Sequence, residues 1–134
     1  MERKNILVID DELLIRDLLY DFFSEKNWIV SVSDSGSKAL ELLKARRFDL
    51  VLVDLKMPEI DGIEVIKSIK ARYPSLPIVI ITAFPSFESA VEALRLKIDD
   101  YITKPFNINK LFKTICEILT KPQDQPDIIP TEKY

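Results

Sequence analysis

Histidine is absent from the 134 residues, which removes the Ser-His-Asp triad, the commonest zinc ligand and any phosphohistidine role. Glycine is nearly as scarce. Gly36 and Gly62 are the only two, so neither a GxGxxG nor a GxxxxGK phosphate cradle can be written. The one cysteine, Cys116, cannot form an internal disulfide, which suits a reducing cytoplasm, and it reads as a small core residue. A surplus of positive charge is missing as well. Nineteen Lys and Arg stand against twenty-two Asp and Glu, a net charge of -3, which argues against direct nucleic-acid binding. The first apolar run has four residues, 6–9, too few for a signal-peptide core or a membrane span. The chemistry therefore falls to carboxylates, hydroxyls and lysine.

What is present is the composition of a folded domain, 47% hydrophobic and 31% charged. A chain of this length suits one domain, able to bury roughly two-thirds of its unfolded surface. ILVI at 6–9, LVLV at 50–53 and IVII at 78–81 lack the alternation of half-exposed strands. They read as strands buried on both faces of a parallel sheet. Weaker strands fit WIVSV at 28–32 and DYI at 100–102. Between them lie apolar residues at helical spacing: Leu13, Leu14, Ile15, Leu18, Leu19, Phe22 and Phe23; Leu40 and Leu43; Ile63, Ile66 and Ile69; Val91 and Leu94; and Ile108, Leu111, Phe112, Ile115 and Leu119. These stripes are assigned to the core. Asn27 suits a left-handed helix end, and Ser86 and Asn107 suit N-caps. The alternation implies an α/β fold, a doubly wound five-stranded parallel sheet with helices on both faces. The domain is expected over residues 1–120. Residues 121–134 hold three of the eight prolines and read as a tail or linker.

In a sheet of order 2-1-3-4-5, the flavodoxin-like arrangement, ligands bind beyond the carboxyl ends of the strands, between the first and the third. Asp10 and Asp11 follow the first strand, Asp54 follows the third, Thr82 ends the fourth and Lys104 follows the fifth. Two like charges ~4 Å apart repel by about 4 kcal/mol at an effective dielectric of ~20. Three such pairs approach the stability of a whole domain, so the site must protonate, spread apart or hold a cation. All-oxygen ligation with room for water suits Mg2+ or Mn2+ better than Zn2+ or Ca2+. A carboxylate facing such a cation and a lysine is an acceptor for phosphoryl transfer. Asp54, alone at the end of the central strand, is the expected nucleophile, with Asp10 and Asp11 as the metal-holding pair. The plainer alternative makes the aspartates helix caps and Lys104 a solvated charge. It explains any one of these residues more readily than five at one rim.

VIDDE at 8–12, LVDLKMPEIDG at 52–62, ITAF at 81–84 and DYITKPF at 100–106 resemble the receiver, or phosphoacceptor, domain of two-component response regulators. The run at 82–106 is similar to receivers of enhancer-binding transcriptional activators. The resemblance implies a cytoplasmic signalling switch rather than an enzyme turning over external substrates. Asp54 would take a phosphoryl group from a partner histidine kinase in a Mg2+-dependent reaction. Asp11, Asp54 and the backbone carbonyl of Lys56 would ligate the Mg2+ (or Mn2+) directly, and Asp10 through a bound water. Lys104 would pair with the phosphoryl oxygens and Thr82 would donate a hydrogen bond to one of them. Tyr101 would be the switch aromatic that turns inward when Thr82 moves, and Lys104-Pro105 would be a cis peptide. The changed face, made by the fourth helix, fifth strand and fifth helix, would control a downstream protein or a covalently linked output domain, or form a homodimer.

Some positions depart from the family pattern. Lys97 and Ile98 stand where many receivers have Gly-Ala, so the turn after the fourth helix is expected to be strained or the helix to end differently. Lys56, two residues past Asp54, and Phe84, two past Thr82, flank the path of hydrolytic water and are expected to set the lifetime of the phosphorylated state. Moving a two-state equilibrium from 1:99 to 99:1 takes about 5.5 kcal/mol. One charge-assisted bond from Thr82 supplies roughly 1.5–3 kcal/mol, which leaves the rest to Lys104. An aspartate-nucleophile phosphohydrolase is the chief rival, but it usually carries a second acid two residues after the nucleophile, where Lys56 stands. A binding-only module that had lost phosphorylation would not need all five chemical positions, and scarce glycine disfavours a flavin-binding protein.

Overall fold

The apolar runs become the middle of the sheet because their side chains meet helices on both faces. The computed structural model describes residues 2–57 and 61–121. Its elements alternate as β1 (Asn5–Ile9), α1 (Leu13–Glu25), β2 (Ile29–Ser33), α2 (Gly36–Ala45), β3 (Leu50–Val53), α3 (Gly62–Arg72), β4 (Ile78–Thr82), α4 (Phe87–Arg95), β5 (Asp100–Thr103) and α5 (Ile108–Thr120). The sheet is parallel with order β2-β1-β3-β4-β5, the order expected for a doubly wound fold of the family that the motifs resemble. Every residue of β3 and β4 is buried, whereas β5 at the edge has none fully buried, which is why its sequence signal is weak. β2 starts one residue later than expected. Trp28 instead turns into the core beneath α1 and α5, and its N–H donates to the Phe23 carbonyl at 3.1 Å, closing the end of α1.

Two apolar layers sandwich the sheet. Leu19, Phe23, Trp28, Leu111, Ile115 and Ile118 fill the α1–α5 side, and Cys116 packs half-buried against them; burial pushes its thiol pKa up. Ala39, Leu43, Val65, Ile66, Ile69 and Ala93 fill the α2–α3–α4 side. The helix stripes are wider than the faces that the sheet covers. Leu13, Leu14, Leu18 and Leu94, expected in the core, are 59, 81, 46 and 79% exposed. At about 100° per residue, Leu14 lands about 140° around α1 from buried Leu19, so one sheet face cannot cover both.

The expected caps are present. Ser86 accepts from the Ser89 N–H, and Asn107 from the N–H groups of Asn109 and Lys110. Asn27 is left-handed at φ 67°. Lys97 is left-handed too, at φ 58°, where a side chain costs roughly 1–2 kcal/mol that glycine avoids. The expected tail lies outside the described residues apart from Lys121, as do Pro58, Glu59 and Ile60 of the 52–62 motif. Among the described residues no helix is long and apolar enough to cross a membrane.

Candidate functional site

The parallel ladder continues one residue beyond the strands and sets the rim. The Asp10 N–H donates to Ser33 O at 3.0 Å, the Asp54 N–H to Ile9 O at 2.9 Å, and the Lys104 N–H to Thr82 O at 2.8 Å. Three remote segments are thereby fixed side by side at the carboxyl edge. The β3–α3 loop is held by a close approach at Gly62. A Cβ there would sit 2.5 Å from the Asp54 carbonyl oxygen and 2.5 Å from the Leu55 Cα, and the Gly62 N–H donates to Leu55 O at 2.9 Å. Only glycine fits, because the opposing atoms are backbone.

Asp10 and Asp54 each divide their two oxygens between structure and site. Asp10 Oδ1 accepts from the Glu12 N–H at 2.9 Å, and Asp54 Oδ1 from the Lys56 N–H at 3.3 Å. These bonds shape the turns after β1 and β3. The second oxygens face one cation: Lys104 Nζ lies 2.9 Å from Asp10 Oδ2 and 3.3 Å from Asp54 Oδ2, and it also donates to Glu12 Oε1. Asp10 and Asp54 are 3% and 4% exposed. The turn-shaping and site-forming roles therefore coexist in the same carboxylates.

Electrostatics follow from this burial. Burial pushes the Asp10 pKa up to about 6; the Asp54 charge adds to the rise, while the Glu12 N–H and Lys104 pull against it. For Lys104, burial alone would lower the pKa, but hydrogen bonds to Glu12 and Asp10 and the charges of Asp10 and Asp54 outweigh it. The ammonium ends above its ordinary value and stays charged. Oxygens of Asp10, Glu12 and Asp54 lie within 4.8 Å of one another. By formal charge, three carboxylates against one ammonium leave two negative charges, which one divalent ion would neutralise, and an all-oxygen donor set suits a hard cation such as Mg2+. The cluster fits such an ion.

The residues expected from the sequence are distributed as follows. Asp10, Asp54 and Lys104 are in direct contact. Thr82 is fully buried at the end of β4, its Oγ1 accepting from the Phe84 N–H at 3.0 Å. Lys56 Nζ lies 5.7 Å from the centre of the Phe84 ring, and both line a cleft of about 680 Å³ between α3 and α4. Tyr101 stands half-buried on β5, its hydroxyl 2.6 Å from Ser89 Oγ. The Lys104-Pro105 peptide is cis. Asp11 is exposed and is not one of the three clustered carboxylates; Glu12 takes that place. Sequence reasoning gave Glu12 no role, although a third consecutive acid after a buried strand was the available signal.

A family model described as the response regulator receiver domain matches residues 6–116. The transcriptional regulatory protein ZraR of Klebsiella oxytoca is 41% identical over 118 residues, covering 88% of this chain and 27% of that protein. The DNA-binding transcriptional regulator NtrC of Proteus hauseri is 32% identical over 95% of this chain and 27% of its own length. The chain thus spans about a quarter of these relatives. Among solved structures, the CheY-like receiver domain protein of Methanospirillum hungatei superposes with a TM-score of 0.88 at 27% identity, covering 94% of this chain and all of that one. NtrX of Brucella abortus gives 0.81 at 32% identity over 88% of this chain and 27% of its own. The motif residues, the strand order and these matches agree, and the chain belongs to the response regulator receiver domain family.

Proposed function

We propose that Asp54 is the phosphoacceptor of this domain, that it takes its phosphoryl group from a histidine kinase, and that the reaction depends on Mg2+ or Mn2+. The observation that carries this reading is the convergence of Asp10, Glu12 and Asp54 on Lys104 at the edge of the sheet. Asp54 needs no general base, because a carboxylate is already a nucleophile. Its oxygen forms the new bond to phosphorus as the bond to the donor imidazole nitrogen breaks, and the electron pair leaves with that nitrogen. Lys104, already between Asp10 and Asp54, meets the negative charge that builds on the phosphoryl oxygens.

Asp10, Asp11, Asp54 and the Lys56 carbonyl are the proposed metal-holding groups, with the Glu12 carboxylate beside them. Bound there, the cation would offset the negative charge of the acids and of the incoming phosphoryl group. Thr82 donates its hydroxyl to a phosphoryl oxygen, and Tyr101 follows. Lys56 and Phe84 cover the approach of water and set the lifetime of the acyl phosphate. The domain supports its own phosphorylation and dephosphorylation and acts in the cytoplasm. Its α4–β5–α5 face, where Phe87 is 86% and Leu94 79% exposed, meets a linked output domain, a downstream protein or a second copy. The receiver is read as residues 1–120, with 121–134 as a tail or linker.

Beryllofluoride with Mg2+ mimics an acyl phosphate and tests the assignment. A new set of amide resonances should appear in the wild type and be absent in Asp54→Asn; equal spectra for the two proteins would remove Asp54 from the role.

A further inference from the structure

Three hydroxyls close a hydrogen-bonded ring at the start of α4. Ser86, the N-cap, accepts from the Ser89 N–H at 3.0 Å and donates its own hydroxyl to Ser89 Oγ at 3.0 Å. Ser89 Oγ in turn donates to the Ser86 carbonyl at 3.1 Å. The Tyr101 hydroxyl enters from β5, 2.6 Å from Ser89 Oγ, and accepts from the Ser86 N–H at 3.4 Å. A serine hydroxyl has one proton. Ser89 spends it on the Ser86 carbonyl, so Tyr101 is the donor in the 2.6 Å bond. The Tyr101 ring is thereby tied to the helix start from two sides.

Position makes this bond consequential. Tyr101 pairs with Ile80 across the β4–β5 ladder, and Thr82 lies two residues beyond Ile80 on the same face of the sheet. Any displacement of Tyr101 toward Thr82 must first break its bond to Ser89 and leave the Ser86 N–H without its acceptor.

We propose that Ser89 is a positioning residue of the switch: its hydroxyl holds Tyr101 against α4 in the unphosphorylated protein and couples release of the ring to the first turn of that helix. This rests on the reading of Asp54 as phosphoacceptor with Thr82 and Tyr101 as its relay. Loss of the bond removes part of the cost of the activated arrangement and leaves the phosphoacceptor cluster untouched.

The test is a double-mutant cycle read as apparent beryllofluoride affinity in the presence of Mg2+. Ser89→Ala and Tyr101→Phe should each tighten binding roughly fivefold, the change expected for one net hydrogen bond. The double variant should be no tighter than either single one, and Ser89→Thr should return the wild-type value. A merely structural Ser89 would lower thermal stability without this non-additivity. Unchanged or weaker binding by Ser89→Ala, or additive effects in the double variant, overturns the latch while the phosphoacceptor reading stands. No binding by the wild type overturns the phosphoacceptor reading and the latch together.

Discussion

The two helical layers are built differently. On the α1–α5 side Phe22, Phe23, Trp28 and Phe112 interlock, with Phe23 stacked on Trp28 at 5.4 Å and Trp28 tilted against Phe112 at 5.3 Å. Lys26 Nζ lies 4.9 Å from the centre of the Phe112 ring. Such packing is sensitive to the displacement of any one ring. On the opposite side α4 fully buries Ala93 alone, ends in a strained Lys97, and touches Tyr101 through hydroxyls. Within that layer α4 has few buried side chains to lose, and the parts assigned to the switch lie beside it.

The contrast is sharpest in paired truncations. Phe23→Ala should cost about 3–5 kcal/mol, whereas Leu94→Ala on exposed α4 should stay within about 0.5 kcal/mol; urea midpoints measure both. Equal losses would erase the distinction between the aromatic layer and α4.

Next in size is an effect at the rim that joins them. Burial raises the folded pKa of Asp10 to about 6, above the ordinary carboxylate value of 3.8. Its folded form therefore holds a proton more tightly than its unfolded form, and the stability this provides is present at low pH and lost as pH rises from about 4 to 6. In metal-free buffer Asp10→Asn should thus be more stable than wild type above pH 6, by up to about 3 kcal/mol, with the gain vanishing below about pH 4. Thermal melts across that range would show it. A gain independent of pH would mean that burial of the charge is not its origin.

Smaller effects refine the α4 side. Lys97→Gly relieves the left-handed backbone and should stabilise by roughly 0.5–1 kcal/mol; a loss of stability would point to the Lys97 side chain instead. Removing the cation–ring contact through Lys56→Ala or Phe84→Ala should change the rate of phosphate release roughly two- to fivefold. Unchanged rates would take that pair out of the water path.

Much of this was legible in the residues. Continuous apolar runs at 6–9, 50–53 and 78–81 read as strands buried on both faces, and strand-end acids in a sheet of order 2-1-3-4-5 meet at one edge. The motifs then named the family. Less legible was which acid turns inward. Asp10, Asp11 and Glu12 are adjacent and chemically alike, and only the turn fixed by Asp10 Oδ1 on the Glu12 N–H decides that Glu12, not Asp11, reaches Lys104. Leu13, Leu14 and Leu18 were misassigned to the core because hydrophobicity does not state how wide a face the sheet can cover. The Ser86–Ser89–Tyr101 ring gave no signal beyond an ordinary N-cap, since its third member comes from another element.

The most direct single measurement is phosphoryl incorporation by intact mass after treatment with acetyl phosphate, followed as a function of free Mg2+. The expected result is a saturable gain of one phosphoryl group that disappears in EDTA and in Asp54→Asn. Undiminished incorporation without a divalent cation, or in Asp54→Asn, would contradict a metal-dependent acceptor at the carboxyl edge of β3.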